Sequence, residues 1–120
     1  MWTYHVDSGR LFDAVDRLVG TGYSGHGAGI NNPAMERDHD VGPIPRGRYM
    51  ISPFFNDPVK GPIVAHLIPE PDTVDFGRYG FMLHGDNSAG NESASHGCII
   101  MPHGVRAEVD ASADHELLVV

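Results

Sequence analysis

The chain has 120 residues, 41% of them hydrophobic and 20% charged, with a formal charge of −8 from 16 acidic against 8 basic residues. That length fits one domain with one core, over residues 1–120. An acidic surface without a basic stripe excludes nucleic acid and anionic membrane surfaces as expected partners. No apolar run approaches the roughly 20 residues of a membrane span, and the single cysteine excludes an internal disulfide.

Met1-Trp2-Thr3-Tyr4-His5 lacks the basic start and apolar stretch of a signal peptide, so the expectation is synthesis in the cytoplasm, outside the general secretion route. Trp2 to Val6 favours a strand, and Asp7-Ser8-Gly9 is a turn that returns Leu11-Phe12 as the second arm of a hairpin. Leu18 to Tyr23 predicts a third strand whose glycines mark a bulge or a close backbone approach. From Ser24 to Asp40 the pattern is loop chemistry, and Ser24, Asn31 and Asn32 there either cap the loop or line a cleft.

Arg48 to Ser52 and Ile63 to Ile68 predict strands, the second bounded by Pro62 and Pro69. Tyr79 to His84 predicts a buried strand with His84 at its end, and Ile99-Ile100-Met101 a short strand beside it. Val105 to Ala113 has apolar residues four apart and is the one helix expected. Glu116 to Val120 closes the chain as a strand. The fold class is mainly β, a sandwich or open barrel with one short helix.

The chemistry concentrates in His84-Gly85-Asp86-Asn87-Ser88 and Ser93-Ala94-Ser95-His96-Gly97-Cys98-Ile99-Ile100. A thiol is a poor nucleophile at its ordinary pKa near 8.5, and an adjacent imidazole can take its proton to give a thiolate–imidazolium pair. Cys98 is the candidate nucleophile and His84 its base, each at the end of an apolar run. Gly97 permits a tight turn that aims the Gly97 and Cys98 amides at a developing oxyanion. A third group normally fixes the imidazole tautomer, and both the Gly85 carbonyl and the Asp86 carboxylate qualify. Ser95, His96, Gly97, Asp86, Asn87 and Arg106 are the candidate substrate-binding residues. Ser95 reads either as a loop hydrogen bond or as a carboxylate ligand, and His96 either as an assistant at the site or as an exposed loop histidine. No metal is expected: the eight histidines form no His-x-x-x-His or His-Glu-x-x-His pair, and one cysteine builds no structural zinc site. No cofactor is expected either.

Ser95-His96-Gly97-Cys98-Ile99 with the upstream His84-Gly85 resembles the signature of YkuD-type L,D-transpeptidases. The longer string from Phe81 to Asn87, with Gly20-Thr21-Gly22-Tyr23-Ser24-Gly25, Asn31-Asn32-Pro33-Ala34-Met35 and Val41-Gly42-Pro43-Ile44-Pro45, is closer to a smaller offshoot, the Tlde1 domain associated with type VI secretion toxins. The resemblance implies a β-rich fold and a cysteine L,D-carboxypeptidase or L,D-transpeptidase acting on the peptidoglycan stem tetrapeptide, with release or exchange of its terminal D-alanine. Cys98 would carry the acyl group and His84 would shuttle the proton. Classical transpeptidases place Arg or Asn soon after the cysteine, where Ile100-Met101 stand here, so Arg106 is either the substitute carboxylate clamp or a surface arginine.

The partners so implied are the stem peptide, an immunity protein and a component of a secretion apparatus, with action in the periplasm of a target cell after delivery. The alternatives are a phage-encoded wall hydrolase and, in another class, a module that binds stem peptides without turnover. A cysteine endopeptidase of the NlpC/P60 kind fits less well, because there the cysteine precedes the histidine.

Overall fold

The computed structural model of the chain describes residues 1–86 and 95–120. Its strands are β1 (Trp2–His5), β2 (Arg10–Phe12), β3 (Leu18–Thr21), β4 (Tyr23–Ser24), β5 (Gly47–Ile51), β6 (Phe55–Asp57), β7 (Gly61–Pro69), β8 (Met82–His84), β9 (Ile99–Ile100) and β10 (Glu116–Val119). One helix, α1 (His103–Ala111), precedes β10, and the stretch between β4 and β5 carries two short 3-10 turns, Gly27–Gly29 and Pro33–Met35.

The strands join in the order β3-β2-β1-β10-β5-β7-β8-β9-β4, with β6 paired to the first half of β7. β3 and β4 stand at the two ends of this path, yet only Gly22 separates them in the chain. One bent strand therefore belongs to both ends and nearly closes the sheet into a barrel. Gly22 is needed at the bend, since a Cβ there would overlap the Ile100 carbonyl oxygen, and its own carbonyl lies where a Cβ on Gly9 would be. Of the two arrangements expected from the pattern, the open barrel with one short helix is the one that forms.

Alternation sets what faces inward. Trp2 and Tyr4 on β1, Tyr49 and Ile51 on β5, and Leu117 and Val119 on β10 are buried, while Arg48, Met50 and Glu116 face solvent. Val105 and Val109 of α1 close the core with Leu83 and Ile99. Two turns act as pins: Tyr49 donates its hydroxyl to the Pro45 carbonyl at 2.7 Å, and Trp2 donates its indole N–H to the Asp114 carbonyl at 2.9 Å.

The hairpin, the β3–β4 strand, β5 and β10 follow the sequence pattern. Three features depart from it. β7 runs through both of its prolines, because Pro62 stands where the ladder with β6 is irregular. β8 begins only at Met82, and Tyr79 is 90% exposed rather than part of a buried strand. The helix starts at His103, immediately after Pro102, and stops at Ala111.

Candidate active site

β8 and β9 run parallel, with Leu83 opposite Ile99 and His84 opposite Ile100. Leu83 and Ile99 belong to the core, and successive side chains on a strand alternate, so His84 and Ile100 face away from it. Cys98 immediately precedes β9, which puts it level with Met82, two residues back along the neighbouring strand from the position opposite His84. Two apolar segments running side by side thus carry His84 and Cys98 on neighbouring strands, and among the described residues no hydrogen bond joins their side chains.

His84 is buried, and its Nδ1 lies 2.8 Å from the Gly85 carbonyl oxygen. A carbonyl can only accept, so Nδ1 carries the proton and Nε2 keeps its lone pair. Among the described residues Nε2 has no hydrogen-bond partner. Burial holds the imidazole below its ordinary pKa against the Gly85 hydrogen bond, and Lys60 and Arg106 push the same way as burial. Cys98 donates its thiol to the Gly80 carbonyl at 3.8 Å. Burial raises the thiol pKa, and the Met82 amide, Lys60 and Arg78 only partly offset it. Both shifts favour the neutral forms of the thiol and the imidazole. Burial thus works against both charges of the thiolate–imidazolium pair.

The thiol opens on a cavity of about 300 Å³ whose walls include His96, Gly97, Arg78, Tyr79, Gly80 and Lys60. Arg78 is buried and carries no ion pair among the described residues. Its Nη1 donates to the Pro43 carbonyl at 2.7 Å and to the Glu36 carbonyl, and its Nη2 to the Gly42 carbonyl at 2.9 Å and the His96 carbonyl at 3.4 Å. The guanidinium also lies 5.6 Å from the Phe81 ring centroid. One cation thus ties the loop ahead of β5 to the turn that carries the cysteine. His96 stacks on His26 with ring centroids 4.7 Å apart and has Nδ1 3.1 Å from the Asp40 carbonyl, so its ring is fixed although the residue is exposed.

The model for the Tlde1 domain matches residues 19–113. The chain belongs to the Tlde1 domain family. No curated protein and no solved structure matches it.

In this Tlde1 domain several expected ligands take other positions. Ser95 is fully buried: it donates to the Cys98 carbonyl at 2.7 Å and accepts from the Gly25 amide at 3.0 Å and the Gly97 amide at 3.2 Å. Its hydroxyl staples the cysteine turn and leaves nothing for a substrate carboxylate. The same bond occupies the Gly97 amide, which is therefore not an oxyanion donor in this geometry. Arg106 does not reach the Cys98 cleft. Its Nε donates to the Met101 carbonyl at 3.1 Å and its Nη1 to the Pro62 and Ile63 carbonyls at 2.7 and 3.0 Å. Ile63 holds a left-handed φ of 55°, costly for a β-branched residue, so Arg106 pins an irregular point of β7. Arg106 also packs against Gly85, where a Cβ would lie 2.6 Å from Nη2.

Asp86 accepts from the Tyr23 hydroxyl at 2.8 Å and lines a separate cavity of about 240 Å³ with Arg106. Of the two groups proposed to orient His84, the Gly85 carbonyl is the one at its Nδ1. Asn87 lies outside the described residues. Ser24 is buried and accepts from the Ile44 amide at 2.9 Å, which is the loop-capping alternative. Among the described residues no group of three or more His, Cys, Asp or Glu is placed to hold a metal, and no helix is long and apolar enough to cross a membrane. Arg78, Lys60, His39 and Asp40 line the Cys98 cavity without having been expected there. Only Lys60 carried a signal in the sequence, as the one lysine of the chain.

Proposed function

We propose that this Tlde1 domain is a cysteine L,D-carboxypeptidase or L,D-transpeptidase that acts on peptidoglycan stem tetrapeptides. The observation that carries the reading is the state of His84: its Nδ1–H is spent on Gly85, and Nε2 is buried and, among the described residues, unpartnered, on the strand that pairs with the one Cys98 precedes. A fixed neutral imidazole with a free lone pair is what a general base requires.

On arrival of a peptide the thiol turns from the Gly80 carbonyl towards Nε2. As Sγ attacks the carbonyl carbon at the L-centre of meso-diaminopimelate, the thiol proton passes to Nε2. Collapse breaks the C–N bond to D-alanine, and the imidazolium returns the proton to the leaving amine. The thioester on Cys98 is then cleaved by water, giving the tripeptide, or by the amine of a D-amino acid, giving exchange. Membership of the family fits an effector of type VI secretion. In that setting the domain is an antibacterial toxin acting in the periplasm of a target cell, and the producer holds an immunity protein.

The experiment is mass spectrometry of a purified tetrapeptide muropeptide after incubation with the protein. Loss of one D-alanine, or its replacement by an added labelled D-amino acid, is expected for the wild type and not for Cys98→Ala. Product from the variant, or none from the wild type, overturns the proposal. A module that binds stem peptides without turnover is the second reading, favoured by the thiol that donates to Gly80 rather than to His84. A covalent acyl-enzyme trapped by acid quench and seen in intact-protein mass separates the two.

A further inference from the structure

In a chain of charge −8, the cavity beside the thiol is lined by two permanent cations, Lys60 and Arg78, against one carboxylate, Asp40. The two cations differ in what they can offer. Arg78 has its Nη hydrogens committed to backbone carbonyls, so it supplies field but few donors. Lys60 is exposed and makes no ion pair among the described residues.

The backbone of Lys60 is also held in place. It sits at the turn between β6 and β7, where Asp57 Oδ1 accepts from the amides of both Val59 and Lys60 at 2.8 Å. That acidic neighbour is thereby engaged by the turn. Lys60 and Cys98 line the same cavity, which places the ammonium on the wall beside the thiol.

We infer that Lys60 is the specificity arm of the Cys98 cleft: its ammonium captures a free carboxylate on the acyl donor, close to the bond that the thiol attacks. The ligand class is a peptide bearing a carboxylate near the scissile amide. Assigning that carboxylate to a stem peptide rests on the function proposed above. The charge selection itself does not.

The test separates the two. Alkylation of Cys98 by iodoacetate and by iodoacetamide is measured on the intact protein at one pH, so that the thiolate fraction cancels in the ratio of the two rates. The wild-type ratio is expected to exceed that of glutathione by about fivefold or more, since a fixed cation concentrates an anionic reagent. Lys60→Gln brings it to within about twofold of glutathione, and Lys60→Arg keeps it high. An unchanged ratio in Lys60→Gln overturns the inference.

With tetrapeptide, Lys60→Gln raises KM about tenfold while kcat changes less than about threefold, the loss expected for one charge-assisted contact. Amidating the terminal carboxylate abolishes the difference between wild type and variant. If the difference survives amidation, the carboxylate assignment is wrong. If no stem peptide is turned over by the wild type, the function proposed above fails, and the alkylation ratio still decides Lys60.

Discussion

The guanidinium of Arg78 occupies the space where a side chain on Gly97 would begin. Gly97 holds φ at 128°, and a Cβ there would collide with Arg78 Nη2. The tight turn before Cys98 and the buried cation behind it are thus one construction. Gly97→Ala is expected to lower stability by about 1–3 kcal/mol through backbone strain and this collision. Thermal unfolding measures it, and a melting temperature within a degree of wild type would contradict the packing described.

Arg78 itself holds four carbonyls from two loops. Arg78→Gln leaves several buried acceptors without donors, and a loss of about 2–4 kcal/mol is expected. Arg78→Lys recovers little, because an ammonium cannot span the same fork of acceptors. Denaturant unfolding of the two variants provides the comparison, and full recovery by lysine would show that charge alone matters.

His84 and His96 carry opposite expectations despite sharing one chemistry. His84→Gln is predicted to cut acylation by two to four orders of magnitude, the usual worth of a general base. His96→Ala, whose ring stacks on His26 and faces the Asp40 carbonyl, should cost less than about tenfold. Single-turnover acylation rates decide, and equal losses would reassign the base.

The pH dependence follows from the buried neutral pair. His84 must be unprotonated to act, and its pKa is lowered, so the acid limb of kcat/KM is expected below the ordinary histidine value of 6.5. The folded chain binds fewer protons at this site than the unfolded chain over that window. Stability therefore falls as pH drops from 6.5 through the lowered pKa, and the full cost is present below it. His84→Gln should flatten that part of the stability profile, read from midpoints of urea unfolding. An acid limb above 6.5 would mean that the imidazole is not buried as described.

Tyr4 offers a test remote from the site. It is fully buried in β1, and its hydroxyl has no hydrogen-bond partner among the described residues. Tyr4→Phe removes that group while keeping the ring, and is expected to leave stability unchanged or to raise it by about 1 kcal/mol. A loss above about 1 kcal/mol would reveal a partner for the hydroxyl.

What could be read from the sequence was whatever alternation and local motif encode. Leu83 and Ile99 flag their strands by apolarity, and the Ser-His-Gly-Cys string with an upstream His84 marks two strands that pair. The Gly85 carbonyl could be named beforehand because it is adjacent in the chain. Ser95 and Arg106 could not be settled beforehand for a shared reason: a polar side chain near a motif looks like a ligand until its burial against backbone is known. Arg78 left no local signal, and Lys60 only that of being the one lysine, since their place depends on how the turn before β7 and the segment before β8 fold over the cysteine.

The bent strand at Gly22 has a bearing on assembly. The β4–β9 pairing, Tyr23 with Ile100 and Ser24 with Ile99, joins segments from near the two ends of the chain. Contacts of such long sequence separation are generally the slowest to form, because their loop-closure entropy must be met before they contribute. The strand that follows the cysteine is therefore the seam of the ring, and its edge is covered only once the N-terminal third has wrapped around to meet it. A chain that has not closed holds β9 only by its pairing with β8, with the other edge open to solvent. Closure of the ring and protection of the strand edge next to Cys98 are then a single event.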